Sequence, residues 1–399
     1  MTEQIGRTFL RSSVLNVLMA AFNFSTTILL VRWFGSETYS SYIVDLSIIS
    51  LVLLMIELVP SNYSVFRMQE DGKWQGVLAT FTVASMVGVA LLVFMAGMLG
   101  GIFKAYSFWM VGYAAALSSK RYLDILLQSS GRLTEFLQIE LAAAFFRLVA
   151  LCSLLMAGNT GSTEVWASLA ISVVLAQLQW SVRNSHELAP FFGVMRLDPW
   201  LGMLARWRDF RGYYLGIALK RVKDNAVPLV ADRILGSAEA LAAFFLAQRG
   251  LVFALGQVRI LESLLNHRGA LKAASSLSLS KKYILGAAVQ SACIATSAGL
   301  FVASGLSAPP WKVAVALSFC VWPILFYVMD RAEAYSSFDP ARVNRSLLGY
   351  LLILVLGGWL MGWVGSSSAI VFALLVVLAE FSALVFIKMR KEVVNAEAN

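Results

Sequence analysis

The chain has 399 residues, of which 59% are hydrophobic and only 14% charged, with a formal net charge of +9. An ordinary soluble domain carries about 25% charged residues and cannot hide this much apolar surface, so a water-soluble globular fold is excluded. The basic residues sit in short segments between apolar runs and form no separate basic domain, which points to membrane orientation and away from a nucleic-acid partner.

Six apolar runs occupy about 9–31, 40–63, 76–99, 108–130, 136–157 and 164–182. Six more follow at 212–235, 239–263, 283–304, 311–330, 346–364 and 369–388. A spanning helix needs roughly 20 largely apolar residues, whereas a barrel strand would alternate apolar and polar over about ten. The runs are continuous, so all twelve read as transmembrane helices. No cleavage signature precedes the first, which is expected to be retained. With the N-terminus inside, 20 Lys and Arg residues fall on the cytoplasmic side and four (Arg32, Lys104, Arg233, Lys312) on the other. That bias predicts a multi-pass membrane protein with both termini cytoplasmic. Cys152, Cys293 and Cys320 lie inside apolar runs and read as small buried residues, with no disulfide or metal framework.

The longest loop lies at the midpoint, which predicts an N-terminal six-helix bundle over 1–182, a cytoplasmic linker over 183–211 and a C-terminal six-helix bundle over 212–399. A repeat supports the division. Gly35-Ser36 with Glu37 after the first run matches Gly236-Ser237 with Glu239 after the seventh, an offset of half the chain. Each Gly suits a helix C-terminus and each Glu the first turn of the next helix. Six helices per half is an even number, so the halves are expected to be parallel repeats, related by a pseudo-two-fold axis along the membrane normal.

Charges inside the runs carry the functional reading. Lys120-Arg121-x-x-Asp124 and Lys220-Arg221-x-Lys223-Asp224 share one pattern in the fourth and seventh runs. At ~1.5 Å per residue, Lys120 lies about 15 Å from the cytoplasmic end of its run and Lys220 about 13 Å. Both are near the middle of a ~30 Å hydrocarbon core. Arg147 and Arg249 reach a similar level. Seven cations facing lipid there would cost about 20 kcal/mol, so they must face a wet cavity or one another. Asp124, Glu140 and Asp224 can match some of them, leaving an excess of positive charge suited to an anionic ligand. The alternative is a set of interhelical salt bridges and snorkelling side chains. Asp45, Glu57 and Glu380 have no obvious partner within their own helices and join Asp124, Glu140 and Asp224 as candidates for ion coupling or charge pairing. Arg259 with Glu262 reads as a snorkelling pair, and His186 and His267 as solvated loop residues. No triad, metal cluster or phosphate-cradling glycine loop is present in the sequence, so no enzyme activity, cofactor or ATP site is expected.

The stretch Leu29-Leu-Val-Arg-Trp-Phe-Gly-Ser-Glu-Thr-Tyr39 resembles the start of O-antigen and polysaccharide flippases, members of the multidrug/oligosaccharidyl-lipid/polysaccharide exporter superfamily. Asp232-Arg-Ile-Leu-Gly-Ser237 resembles the same family's helix 7–8 junction. One departure is Tyr39-Ser40, where many relatives have Tyr-Gly. The resemblance implies two six-helix bundles around a central cavity. It also implies transport of an undecaprenyl-pyrophosphate-linked oligosaccharide across a bacterial inner membrane, among membrane lipids and other polysaccharide-assembly proteins. Lys120, Arg121, Arg147, Lys220, Arg221, Lys223 and Arg249 would then meet the pyrophosphate and sugars. Two alternatives remain: a related transporter for a soluble or drug-like substrate, and a membrane polysaccharide polymerase or ligase. The second normally needs a large outer loop, and the outer segments here are short.

Overall fold

The computed structural model describes residues 2–56, 78, 80, 82–89, 91, 107–184, 207–256, 279–305, 311–336 and 339–397. Among these residues every regular element is helical. The elements are α1 (Thr2–Leu29), running on into a π-helical turn at Leu30–Phe34, α2 (Ser36–Ile56), α3 (Ser107–Ser129), α4 (Leu133–Met156) and α5 (Ser162–Arg183). Then come α6 (Trp207–Leu235), α7 (Ala238–Ala254), α8 (Leu279–Ser304), α9 (Trp311–Ser318), α10 (Val321–Ser336), α11 (Pro340–Val364) and α12 (Ala369–Glu397). The third predicted run is described only in part, as a helical stretch at 82–89. Glu57, His186, His267, Arg259, Glu262 and linker residues 185–206 lie outside the described residues.

Seven of the described helices, or helix pairs, are long and apolar enough to cross a membrane. Two that fall short, α3 and α6, are the ones that carry the Lys-Arg-x-x-Asp clusters. The protein is an all-α polytopic membrane protein. Trp33, Phe108, Trp311 and Trp363 are all exposed, and each sits at a helix end that the charge bias assigns to the outer face. Such aromatic side chains favour the level of the headgroups.

Run 311–330 was expected to be one helix, but it breaks at Phe319-Cys320 into α9 and α10. Pro323 explains the break. It has no N–H to give to the carbonyl one turn back, and it is tolerated in the first turn of a helix, where such donors are unpartnered anyway. The turns that lead into α2 and α7 follow their glycines: Gly35 has φ 90° and Gly236 φ 65°. Glu37 and Glu239 occupy the following first turns. Ser237 caps α7 by accepting the Ala240 N–H at 3.2 Å.

The chain divides into two compact units, Met1–Thr26 with Ile49–Tyr214, and Thr27–Ile48 with Leu215–Asn399. In the first, α3, α4 and α5 pack together around Tyr122, Leu127, Ala143, Ala176 and Trp180. In the second, α11 lies along α12, α7 along α8, and α10 packs on both α11 and α12. Lipid tails are as apolar as leucine, so close packing, not the escape of apolar groups from water, must hold such helices together. Gly250 shows the consequence: a Cβ there would lie 2.9 Å from the backbone nitrogen of Ser297 on α8.

Candidate functional site

In the first unit, Lys120 is 7% exposed at the middle of α3. Its Nζ donates to both oxygens of Asp124, at 2.8 and 3.0 Å, and to Glu140 Oε1 on α4 at 2.5 Å. The Phe136 ring centroid is 5.6 Å from the ammonium. Helical spacing delivers Asp124, one turn along the same face; the packing of α3 on α4 delivers Glu140. One ammonium therefore serves two carboxylates. Arg121, next along α3, is half-buried.

Arg147 differs. It is the fifteenth residue of the 24-residue α4, seven residues after Glu140 and so on the same face. It is half-buried, its Nε is fully enclosed, and it finds no hydrogen-bond or ion-pair partner among the described residues. A guanidinium at mid-span without a carboxylate is costly in hydrocarbon and suited to bidentate binding of an anion.

In the second unit, the Lys223 ammonium donates to Glu380 Oε2 at 2.8 Å, across 157 residues of sequence and from α6 to α12. It also stands 4.4 Å from the Tyr350 ring centroid and 5.5 Å from that of Tyr327. The two ion-paired side chains are 11% and 9% exposed. Lys220 and Asp224 on α6 are exposed, and Arg221 is half-buried with its carbonyl accepting from Asn225 Nδ2 at 2.7 Å. Arg249 is half-buried on α7, beside Tyr39 of α2.

The two glycine turns matched in the sequence meet in this unit. Ser40 Oγ donates to the Ala238 carbonyl at 3.1 Å. A cavity of about 280 Å³ lies beside it, lined by Glu37, Asp45, Asp232 and serine hydroxyls.

The structure thus brings Lys120 to Asp124 and Glu140, and Lys223 to Glu380. Sequence reasoning missed the second pair and its two tyrosines because no local spacing links α6 to α12. The available signal was Glu380 itself, an acid inside an apolar run with no partner on its own helix.

Comparison with known proteins gives a fold. No protein-family model matches the chain, and neither does any curated protein. Among solved structures, a MOP superfamily transporter from Pyrococcus furiosus, described as having a binding pocket of reversed polarity that suggests a different function, is similar at TM-score 0.66 and 12% identity, with 98% of this chain and 96% of that one covered. A MATE transporter in complex with MaD3S is similar at TM-score 0.63 and 13% identity, covering 97% and 96%. An inward-facing multidrug resistance MATE transporter gives 0.56 and 13%, covering 98% and all of its own chain. At these identities the shared property is the fold over essentially the whole length.

Proposed function

We propose that this chain is a secondary transporter of MATE-like architecture that exports an amphiphilic, anionic, soluble or drug-like compound. The single observation carrying the sign of the substrate is Arg147, a mid-span guanidinium with no carboxylate partner among the described residues. The full-length likeness to MATE and MOP transporters supports the transporter class. In this reading transport runs by alternating access and involves no chemical step. Arg147 makes the first contact with the anion. Arg121 in the same unit, and Lys220, Arg221 and Arg249 in the other, supply further positive charge, whereas Lys120 and Lys223 contribute only when their own carboxylates let go.

The junction motifs favour a second, narrower reading of the same chemistry. The anion is then the pyrophosphate of a polyprenyl-linked glycan, flipped across a bacterial inner membrane with its tail left in lipid. One experiment separates the two. The gene is deleted in the source organism, and both lipid-linked glycan intermediates and excreted compounds are profiled. Cytoplasmic-leaflet accumulation of a lipid-linked glycan selects the flippase; a lost excreted anion with normal glycans selects the exporter. Complementation by Arg147→Glu at wild-type level would overturn the anionic-substrate reading in either form.

A further inference from the structure

Glu380 and the rings of Tyr350 and Tyr327 come from α12, α11 and α10, three helices that pack on one another. The cation between them comes from a fourth helix, α6. Receptor and occupant therefore belong to different parts of the unit. The receptor is well held: Tyr350 is 1% and Tyr327 3% exposed, and Ser346 Oγ lies 3.2 Å from the Tyr327 hydroxyl. One carboxylate with two aromatic faces around a single point is the composition that recognises a monovalent ammonium-type cation. The first unit offers a contrast, since Lys120 meets two carboxylates and one phenylalanine at a longer 5.6 Å.

We propose that Glu380, Tyr350 and Tyr327 form a monovalent-cation site of the ammonium class, whose resident occupant is the chain's own Lys223. The lysine is a tethered ligand on a flexible stem. When it withdraws, the buried Glu380 carboxylate is left uncompensated and needs a positive charge, a proton or another cation, in its place. Exchange between a tethered and a free cation is a means of linking a movement of α6 to an ion, and it does not depend on what the protein exports.

The test uses the full chain in lipid nanodiscs. Lys223→Ala vacates the site, and thermal melting is followed against methylammonium, sodium and potassium chloride at matched ionic strength. The variant is expected to melt below wild type, and methylammonium to raise its Tm saturably. Wild type, whose site is filled, should not respond, and neither should Lys223→Ala/Glu380→Gln. An equal saturable response to sodium or potassium assigns the vacated site to alkali ions as well. A response to methylammonium alone restricts it to ammonium cations. Absence of a saturable shift with all three salts, or the same shift in the double variant, overturns the proposal. If Lys223→Ala is too unstable to purify, its membrane yield from cells grown with and without methylamine replaces the melt: recovered yield supports the site and unchanged yield overturns it.

Discussion

Lys120 and Arg147 lie in one unit and carry the same charge, yet they should respond differently to truncation. Lys120→Ala leaves Asp124 and Glu140 facing each other at mid-span without their common ammonium. Removing one partner of a buried pair costs about 3–5 kcal/mol, so this variant should melt well below wild type in detergent or nanodiscs. Arg147→Ala orphans no carboxylate among the described residues. Its stability should stay within about 1 kcal/mol of wild type while export falls to background. A large loss of stability in Arg147→Ala would make the residue structural and remove the main support for an anionic substrate. The sequence placed both cations at mid-depth but could not tell them apart, since periodicity gives the face of a helix and not the neighbour that the face meets.

For the elements, most boundaries were legible. Continuous apolar runs forecast α3, α4, α5, α8 and α11 closely, because the bilayer core imposes a minimum length on every span. The Gly-Ser turns were legible too, since a chain reversing between helices needs a residue that accepts positive φ. Gly35→Ala, at φ 90° and ψ 157°, should therefore cost about 1–3 kcal/mol. The α9–α10 break was written in Pro323, and a reading of apolar runs alone passes over it. Helix contact distance was not legible. Gly250 looks like any glycine in an apolar helix, yet a Cβ there meets Ser297 side chain and backbone. Gly250→Ala should lower the melting midpoint by the equivalent of about 1–3 kcal/mol, and Gly362→Ala, in open space, should not. Equal melting of the two variants would contradict the close α7–α8 packing.

Across the whole molecule, orientation is the claim most open to direct measurement. In a background where Cys152, Cys293 and Cys320 are replaced by alanine, single cysteines at Gly158 and Lys312 should react with a membrane-impermeant thiol reagent in intact cells. Cysteines at Gly131 and Arg183 should react only after permeabilisation. The opposite labelling pattern would invert the topology.

What the sequence by itself determined was whatever depends on the solvent and the local backbone: a lipid environment, helical spans and the turns between them. These follow from the apolarity and glycine placement of contiguous residues, and each residue contributes without reference to distant ones. Tertiary structure alone decided how the buried charges are matched. Lys120 gains a second carboxylate from α4, Lys223 is claimed by Glu380 from 157 residues away, and Arg147 meets no carboxylate among the described residues. An ion pair depends on a separation of about 3 Å in space, which only helix packing sets.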